Sequence, residues 1–369
     1  MVKINFHHLL LSKYANTAMQ RRNNRFRRVS HECAGENEII GHLIKRYVVR
    51  HPTLKKGIGD DAAVWLPAGA RELWSVTTDM LVEEIDFRLE WTAPRELGRK
   101  SMAVNLSDLG AMGARPRFFT ISLGMPANTT KRWIQEFYDG LTSCGLEHGA
   151  ALAGGDLSGA DKITISITAF GESENRKVLY RSGGRAGDLL YVTGTPGKSA
   201  AGLKLLQQGI IRSRSVPRRE ALRAHRTPEP RCTAGQWLAQ NGSVRCMMDI
   251  SDGLSSDLPR MCAASGTDAE IFAEKIPVFA ESALWGCDPL ELALSGGEDY
   301  ELLFAVPRAK KHFLENLPPE FPPVTHIGNM IEGNGKVWIA DAGGTRRALP
   351  TGGFDHFSGG QSGRDGMCS

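Results

Sequence analysis

Val244-Arg245-Cys246-Met247-Met248-Asp249-Ile250-Ser251-Asp252-Gly253-Leu254-Ser255-Ser256-Asp257-Leu258 is the stretch on which the reading of the chain turns. A short apolar run breaks at Asp249 into a turn carrying Ser251, Asp252 and Gly253. Leu254, Leu258, Met261 and Cys262 then recur at helical spacing, so the segment predicts a strand, an acidic turn and the start of a helix. The turn's backbone amides and the positive end of the helix suit an anion, whereas its carboxylates suit hard cations. One site holding both implies a metal-bound phosphate.

The same pattern recurs along the chain. Gly57-Ile58-Gly59-Asp60-Asp61-Ala62 is a glycine turn with two acids before a strand, and Leu73 to Thr78 is β-rich and ends at Asp79. A helix predicted from Pro94 to Asp108 closes with Asn105-Leu106-Ser107-Asp108-Leu109-Gly110, where Asn105 and Asp108 share a face. An acid at a helix's negative end is locally unfavourable, so something positive is expected beside Asp108. Leu152-Ala153-Gly154-Gly155-Asp156 ends a strand in another glycine turn, and Ser295-Gly296-Gly297-Glu298-Asp299-Tyr300 precedes the strand Glu301 to Val306. Each turn alone reads as a plain turn whose Asp caps backbone amides. Together they bring many carboxylates to the ends of predicted elements, where they would repel and raise one another's pKa values unless cations sat among them. Such a cluster predicts several Mg²⁺ ions, and these in turn predict a polyphosphate.

Length and composition bound the rest. At 369 residues the chain exceeds one ordinary core, so two domains are expected. With 41% hydrophobic and 23% charged residues it reads as globular, and no apolar run approaches the roughly 18 to 20 residues of a membrane span. The net charge of +4 is local: residues 1–31 hold seven Lys and Arg and no Asp or Glu, and the remainder has 38 basic against 41 acidic residues. A nucleic-acid surface is therefore not expected. The leader has the composition of a transit peptide, but a disordered tail or an upstream start codon is the simpler reading, and order is expected from near Gly35. The seven cysteines form no C-x-x-C pair, which fits a reducing cytoplasm.

Further elements are a helix near Glu38 to Ile44, strands Phe118 to Leu123 and Ile163 to Phe170, and a helix from Thr130 to His148. Arg181 to Asp188 reads as a domain joint, and Leu189 to Thr193 as a strand before a helix from Ala200 to Gln207. Gly197-Lys198-Ser199 is not a P-loop, because the position that must carry its first glycine is Val192. The Arg- and Pro-rich residues 209–231 read as a solvated, partly irregular connection. Lys336 to Ala340 is β-rich, and residues 358–369 read as frayed.

Taken as a set, Gly57 to Ala62, Thr77-Thr78-Asp79, Ala103 to Ala114, Gly154-Gly155-Asp156, Thr193 to Gly197, Asp249 to Leu254 and Ser295 to Leu302 resemble the thiamine-monophosphate kinase family. The resemblance covers roughly residues 36–357, and the wider aminoimidazole-ribonucleotide synthetase-like superfamily shares part of it. It implies an α/β (α+β) fold with two domains, 36–183 and 184–357, between a basic leader (1–35) and a tail (358–369). Each domain has a mostly antiparallel or mixed sheet backed by helices. A homodimer formed through the first sheets, burying exposed strands such as Ile163 to Phe170, is also implied.

The resemblance further implies ATP-dependent phosphorylation of thiamine monophosphate to thiamine diphosphate. By analogy Asp61, Thr77, Thr78, Asp79, Asp108, Asp156 and Asp249 hold Mg²⁺, with Asp252 an additional ligand. Gly155, Asp156, Arg181 and Ser251 contact ATP, and Glu298 and Phe354 hold the acceptor. Asp86, expected at the substrate, stands where many members have a histidine near the acceptor, so an acid replaces a neutral or cationic partner there. No general base is assigned, because a phosphate monoester with a second pKa of about 6 is already ionised at neutral pH. The rivals are another ATP-using synthetase of the superfamily, a non-catalytic nucleotide-binding regulator and a metal-dependent phosphatase.

Overall fold

A computed structural model describes residues 36–47, 51–174, 177–350 and 352, and all the packing below lies within the compact unit Ile40–Asp355. The leader, Phe354 and the tail 358–369 lie outside the described residues. After helix α1 (Glu36–Tyr47), the first sheet is built from β1 (Leu54–Lys56), β2 (Ala63–Trp65), β3 (Glu72–Val82), β4 (Arg115–Met125), β5 (Ala151–Gly159) and β6 (Thr164–Glu174) in the order β1-β2-β3-β6-β4-β5. Only β4 and β5 pair parallel. In β3 and β6 buried and part-exposed residues alternate, as one covered face requires. That face packs on α2 (Pro94–Ala111) and α3 (Lys131–Glu147), with Leu97, Met102, Leu106, Phe137 and Leu141 meeting Phe119, Ile121, Ile165 and Ile167. The strand expected over Ile163 to Phe170 is central, paired by β3 on one side and β4 on the other. The exposed edge is β5, open along its whole length.

The second half contributes β7 (Leu189–Thr193), α4 (Lys198–Gln207), α5 (Val216–Arg226), α6 (Cys232–Asn241), β8 (Cys246–Ile250), α7 (Leu254–Ser265), β9 (Asp268–Phe272), α8 (Pro289–Ser295), β10 (Glu301–Val306), β11 (Val324–Ile331), β12 (Val337–Ala340) and β13 (Arg346–Ala348). Its sheet has the order β13-β12-β9-β11-β7-β10-β8, so β8, which carries Asp249, is an edge. Every residue of β7, β8 and β10 is buried. The reason is cover on both faces: Leu190, Val192, Met248 and Leu303 enter one core with Leu254, Leu258, Met261 and Cys262 of α7, while Leu189, Tyr191, Met247 and Phe304 enter another with Leu238 of α6. The connection read as irregular over 209–231 contains α5, whose Ala221 and Leu222 pack on Leu205 and Leu206 of α4. Its arginines hid this helix, because only a narrow apolar stripe faces inward.

Helix α2 joins the halves. Thirteen of its residues are buried, including Lys100, Asn105 and Ser107, and it touches α6 so closely that a Cβ on Gly235 would lie 1.9 Å from the Gly110 carbonyl oxygen. Gly235→Ala is therefore expected to destabilise the protein by about 1–3 kcal/mol through overpacking. Gly41→Ala in α1, where a Cβ meets nothing within 4 Å, is expected to be neutral or mildly stabilising. Denaturant melts of the two variants check this, and equal melts would show that the helix contact is loose.

Candidate active site

Four separate segments deliver acids to one point. The loop between β1 and β2 brings Asp61, β3 brings Thr77 and Asp79, the last turn of α2 brings Ser107 and Asp108, and edge strand β8 brings Asp249. Ligand oxygens of Asp61, Asp108 and Asp249 all lie within 4.8 Å of one another. Strand alternation sets which β3 residues take part. Thr77 donates its hydroxyl to Asp108 Oδ2, and the Asp79 backbone N–H donates to Asn105 Oδ1 at 3.2 Å. Thr78 lies on the opposite face, its hydroxyl donating to the Ile167 carbonyl at 3.0 Å, so its side chain does not reach the cluster.

Burial and mutual repulsion dominate the electrostatics. Burial, with Asp79, Asp249 and Asp61 alongside, pushes Asp108 well above the usual aspartate range. Burial likewise raises Asp79 to about 6, with the charge of Asp249 adding to it. Asp61 rises to about 7, burial outweighing the Arg181 guanidinium, whose Nε and Nη2 donate to Asp61 Oδ1 at 2.8 and 2.5 Å. Asp249 is raised by burial although Ser107 Oγ donates to its Oδ2 at 2.6 Å. The cation expected beside Asp108 is not a side chain of the last turn of α2, which holds no basic residue. The donor set is all carboxylate, and Asp61 Oδ2 and Asp79 Oδ2 are buried without a hydrogen-bond partner. Such hard, anionic oxygens fit Mg²⁺.

The acidic turn departs from expectation in one respect. The N–H groups of Ser251, Asp252 and Gly253, expected to face an anion, all donate to Asp257 Oδ2 at 3.0–3.1 Å. Helix α7 thus caps itself with its own carboxylate, and Arg260 Nη1 completes the arrangement at 2.5 Å from Asp252 and 3.0 Å from Asp257. Asp252 faces Arg260 here. Asp299 plays the same part at α4, accepting from the Gly197 and Ser199 N–H groups at 2.5 and 3.0 Å. The amides of Gly197 and Ser199 are thus engaged internally.

The other expected residues are scattered around this centre. Asp156 is exposed on β5, in register with Ser122, and is not among the three gathered carboxylates. Gly155 has a packing reason of its own, since a Cβ there would lie 2.1 Å from the Ile121 carbonyl oxygen. Asp86 closes its own loop by accepting the Val82 N–H at 2.7 Å. Ser251 accepts the Glu298 N–H on its carbonyl at 2.7 Å. Glu298 sits in a left-handed conformation at φ +65° and pairs with Lys100 Nζ at 2.7 Å. Phe354 lies outside the described residues. Sequence reasoning missed Lys100, His225, Asp257 and Arg260. Lys100 was detectable, because it falls on the apolar stripe of Leu97 and Val104, where a lysine must find a buried partner.

Residues 59–173 match the family described as AIR synthase related protein, N-terminal domain, and residues 185–340 match its C-terminal domain. The chain is 33% identical to the thiamine-monophosphate kinase of Bacillus subtilis (strain 168) over 320 residues, 86% of this chain and 98% of that protein. It is 36% identical to the enzyme of the same name from Escherichia coli (strain K12) over 332 residues, 88% of this chain and 99% of that one. A solved structure described as AaThiL complexed with AMPPCP and TMP superposes with a TM-score of 0.75 at 31% identity, covering 88% of this chain and 97% of the other. With both halves matched in order and the relatives covered almost end to end, the chain belongs to the thiamine-monophosphate kinase family.

Proposed function

We propose that the protein transfers the γ-phosphoryl group of ATP to the phosphate of thiamine monophosphate, giving thiamine diphosphate and ADP. The observation that carries this reading is kinship with thiamine-monophosphate kinases along 98–99% of their length. A relative of the same fold is described as complexed with AMPPCP and TMP. The acceptor is its own nucleophile, since its phosphate is ionised at neutral pH. The barrier is electrostatic, because two polyanions must meet in line. Asp61, Asp108 and Asp249, with Asp79 beside them, are the residues that would hold Mg²⁺, and Thr77 orients Asp108. Bound there, Mg²⁺ supplies the positive charge that offsets repulsion between the two phosphates and in the transition state. Arg181, which pairs with Asp61, would face the nucleotide in this reading. In this reading Asp156 and Asp252 reach metal only if β5 and the Arg260 pairing rearrange around the bound nucleotide.

A homodimer through the first sheet is part of the proposal. The outer face of that sheet carries Trp65, Trp74, Phe118 and Phe170 in ring contact. Met80 is 58% exposed and Leu157 on edge strand β5 is 57% exposed, which is the kind of surface a second copy would cover. Among the described residues no helix is long and apolar enough to cross a membrane, and the proposed compartment is the cytoplasm.

The direct test is product analysis with ATP, Mg²⁺ and either thiamine or thiamine monophosphate. Thiamine diphosphate is expected from the monophosphate alone; phosphate release without acceptor, or formation of aminoimidazole ribonucleotide, would mark a rival chemistry. Asp108→Asn is expected to lower kcat on the order of 100-fold or more while raising the melting temperature of the metal-free protein, because it removes a repelling charge; unchanged kcat would take Asp108 out of the site. A third outcome concerns pH. Asp79 and Asp61 are raised to about 6 and about 7, above the roughly 4 of an unfolded aspartate. The unfolded chain therefore releases these protons first, so their contribution to stability is present below about pH 4 and is lost as pH rises through about 7. The increase in melting temperature on adding Mg²⁺ is expected to grow between about pH 5 and 8, and an increment flat across that range would count against carboxylate ligation.

A further inference from the structure

Glu298 is held from two directions by residues to which neither the family resemblance nor the relatives assign a part. Lys100, in the first half of α2, is only 1% exposed and places Nζ 2.7 Å from Glu298 Oε1. His225, on α5, is buried and places Nδ1 3.3 Å from Glu298 Oε2 and 3.2 Å from Ser199 Oγ on α4. The backbone beneath Glu298 is constrained as well. Its φ of +65° is a conformation that a residue with a Cβ adopts only when its surroundings enforce it, and its N–H is tied to the Ser251 carbonyl of the acidic turn. The Glu298 side chain as a whole keeps 28% of its surface.

The charge states follow from these contacts. Burial opposes ionisation of Glu298, but Lys100 and His225 outweigh it and hold the carboxyl below the ordinary glutamate range. Burial, reinforced by Lys100, lowers His225 to about 3, so at neutral pH it is uncharged and bonds the carboxylate as a neutral N–H donor. One buried cation and one neutral donor thus fix an anion at the end of a side chain that is only partly covered. Such an anion suits a cationic group, and the thiazolium ring of thiamine monophosphate carries a permanent positive charge.

We propose that Lys100 and His225 are positioning residues that hold the Glu298 carboxylate in place to recognise the cationic ring of the acceptor, and so set acceptor affinity rather than phosphoryl transfer. The inference rests on the proposed kinase reading. It links α2, whose last turn carries Asp108, to the acceptor side of the site, so the same helix carries one of the gathered acids and the lysine that holds the substrate-selecting anion.

The test is a double-mutant cycle between Lys100→Met and Glu298→Gln, with Lys100→Arg as the conservative variant, reading kcat and the KM of each substrate. Lys100→Met is expected to raise the KM for thiamine monophosphate at least about tenfold while the KM for ATP stays within about threefold. Lys100→Arg is expected to recover most of that loss. In the Glu298→Gln background, Lys100→Met is expected to add less than about twofold, because it acts through the carboxylate. An equal effect in both backgrounds, or parallel loss of ATP and acceptor affinity, overturns the inference and leaves the kinase reading standing. Absence of thiamine diphosphate formation by the wild type overturns both. If Lys100→Met does not fold, the same cycle with His225→Ala, and His225→Asn as the variant that keeps an N–H donor, is read by the same criteria.

Discussion

Repulsion among buried like charges is the constraint around which this molecule is arranged. Asp61, Asp108 and Asp249 present oxygens within 4.8 Å of one another, which at an effective dielectric of about 20 amounts to roughly 3 kcal/mol for each ionised pair. That exceeds by several-fold the few tenths of a kcal/mol an acid loses at a helix C-terminus, so burial and the neighbouring acids, and not the helix end, decide the state of Asp108. The fold tolerates the arrangement because the acids arrive on four rigid segments: β3, β8, the last turn of α2, and a loop tied down by Arg181. None of these can retreat without disturbing a core.

Helix α2 makes this rigidity possible. It is buried on nearly every side, and its polar residues each have a directed partner. Ser107 donates to Asp249 across the junction of the two halves, Asn105 accepts from the Asp79 backbone on β3, and Lys100 reaches Glu298. The close approach of Gly110 and Gly235 locks the same helix to the second half. A helix used so completely cannot be amphipathic in the usual sense. The run Ala103-Val104-Asn105-Leu106-Ser107-Asp108 reads as apolar and polar residues interleaved because both kinds face inward.

Much of this was legible in the sequence. The central strands and the helices α2, α3 and α7 follow from periodicity, and of the acids expected to gather from their placement at element ends, Asp61, Asp79, Asp108 and Asp249 come together while Asp156 stays exposed on β5. What was not legible has physical causes. The strands β9, β11 and β13 lie in segments whose apolar residues are too few or too interrupted to show a period, so only pairing in the finished sheet defines them. Helix α5 was masked by its arginines. Thr78 was grouped with its neighbours by motif, although period-two geometry sends it to the far face. The amides of the acidic turn were assigned to an outside anion because nothing in the spacing marks Asp257, four residues on from Gly253, as their acceptor.

That last point gives a rule for sorting the acids of this chain. Several sit in similar glycine-rich or strand-end contexts, yet the structure separates them by what offsets their charge. Asp257 receives three backbone N–H groups and Arg260, Asp299 caps α4, Glu301 is gripped by Arg231 and Thr193, and Asp188 is paired with Arg245. These acids are satisfied by the protein itself and hold turns and helix starts in shape. Asp79 and Asp108 are different, because their close charged neighbours are other carboxylates. A buried acid gains more from a cation the more of its neighbours are acids, and Asp61 and Asp249, though each accepts from a donor, still lie against Asp108. The sequence motif contains both kinds, and only the partners around each side chain tell them apart.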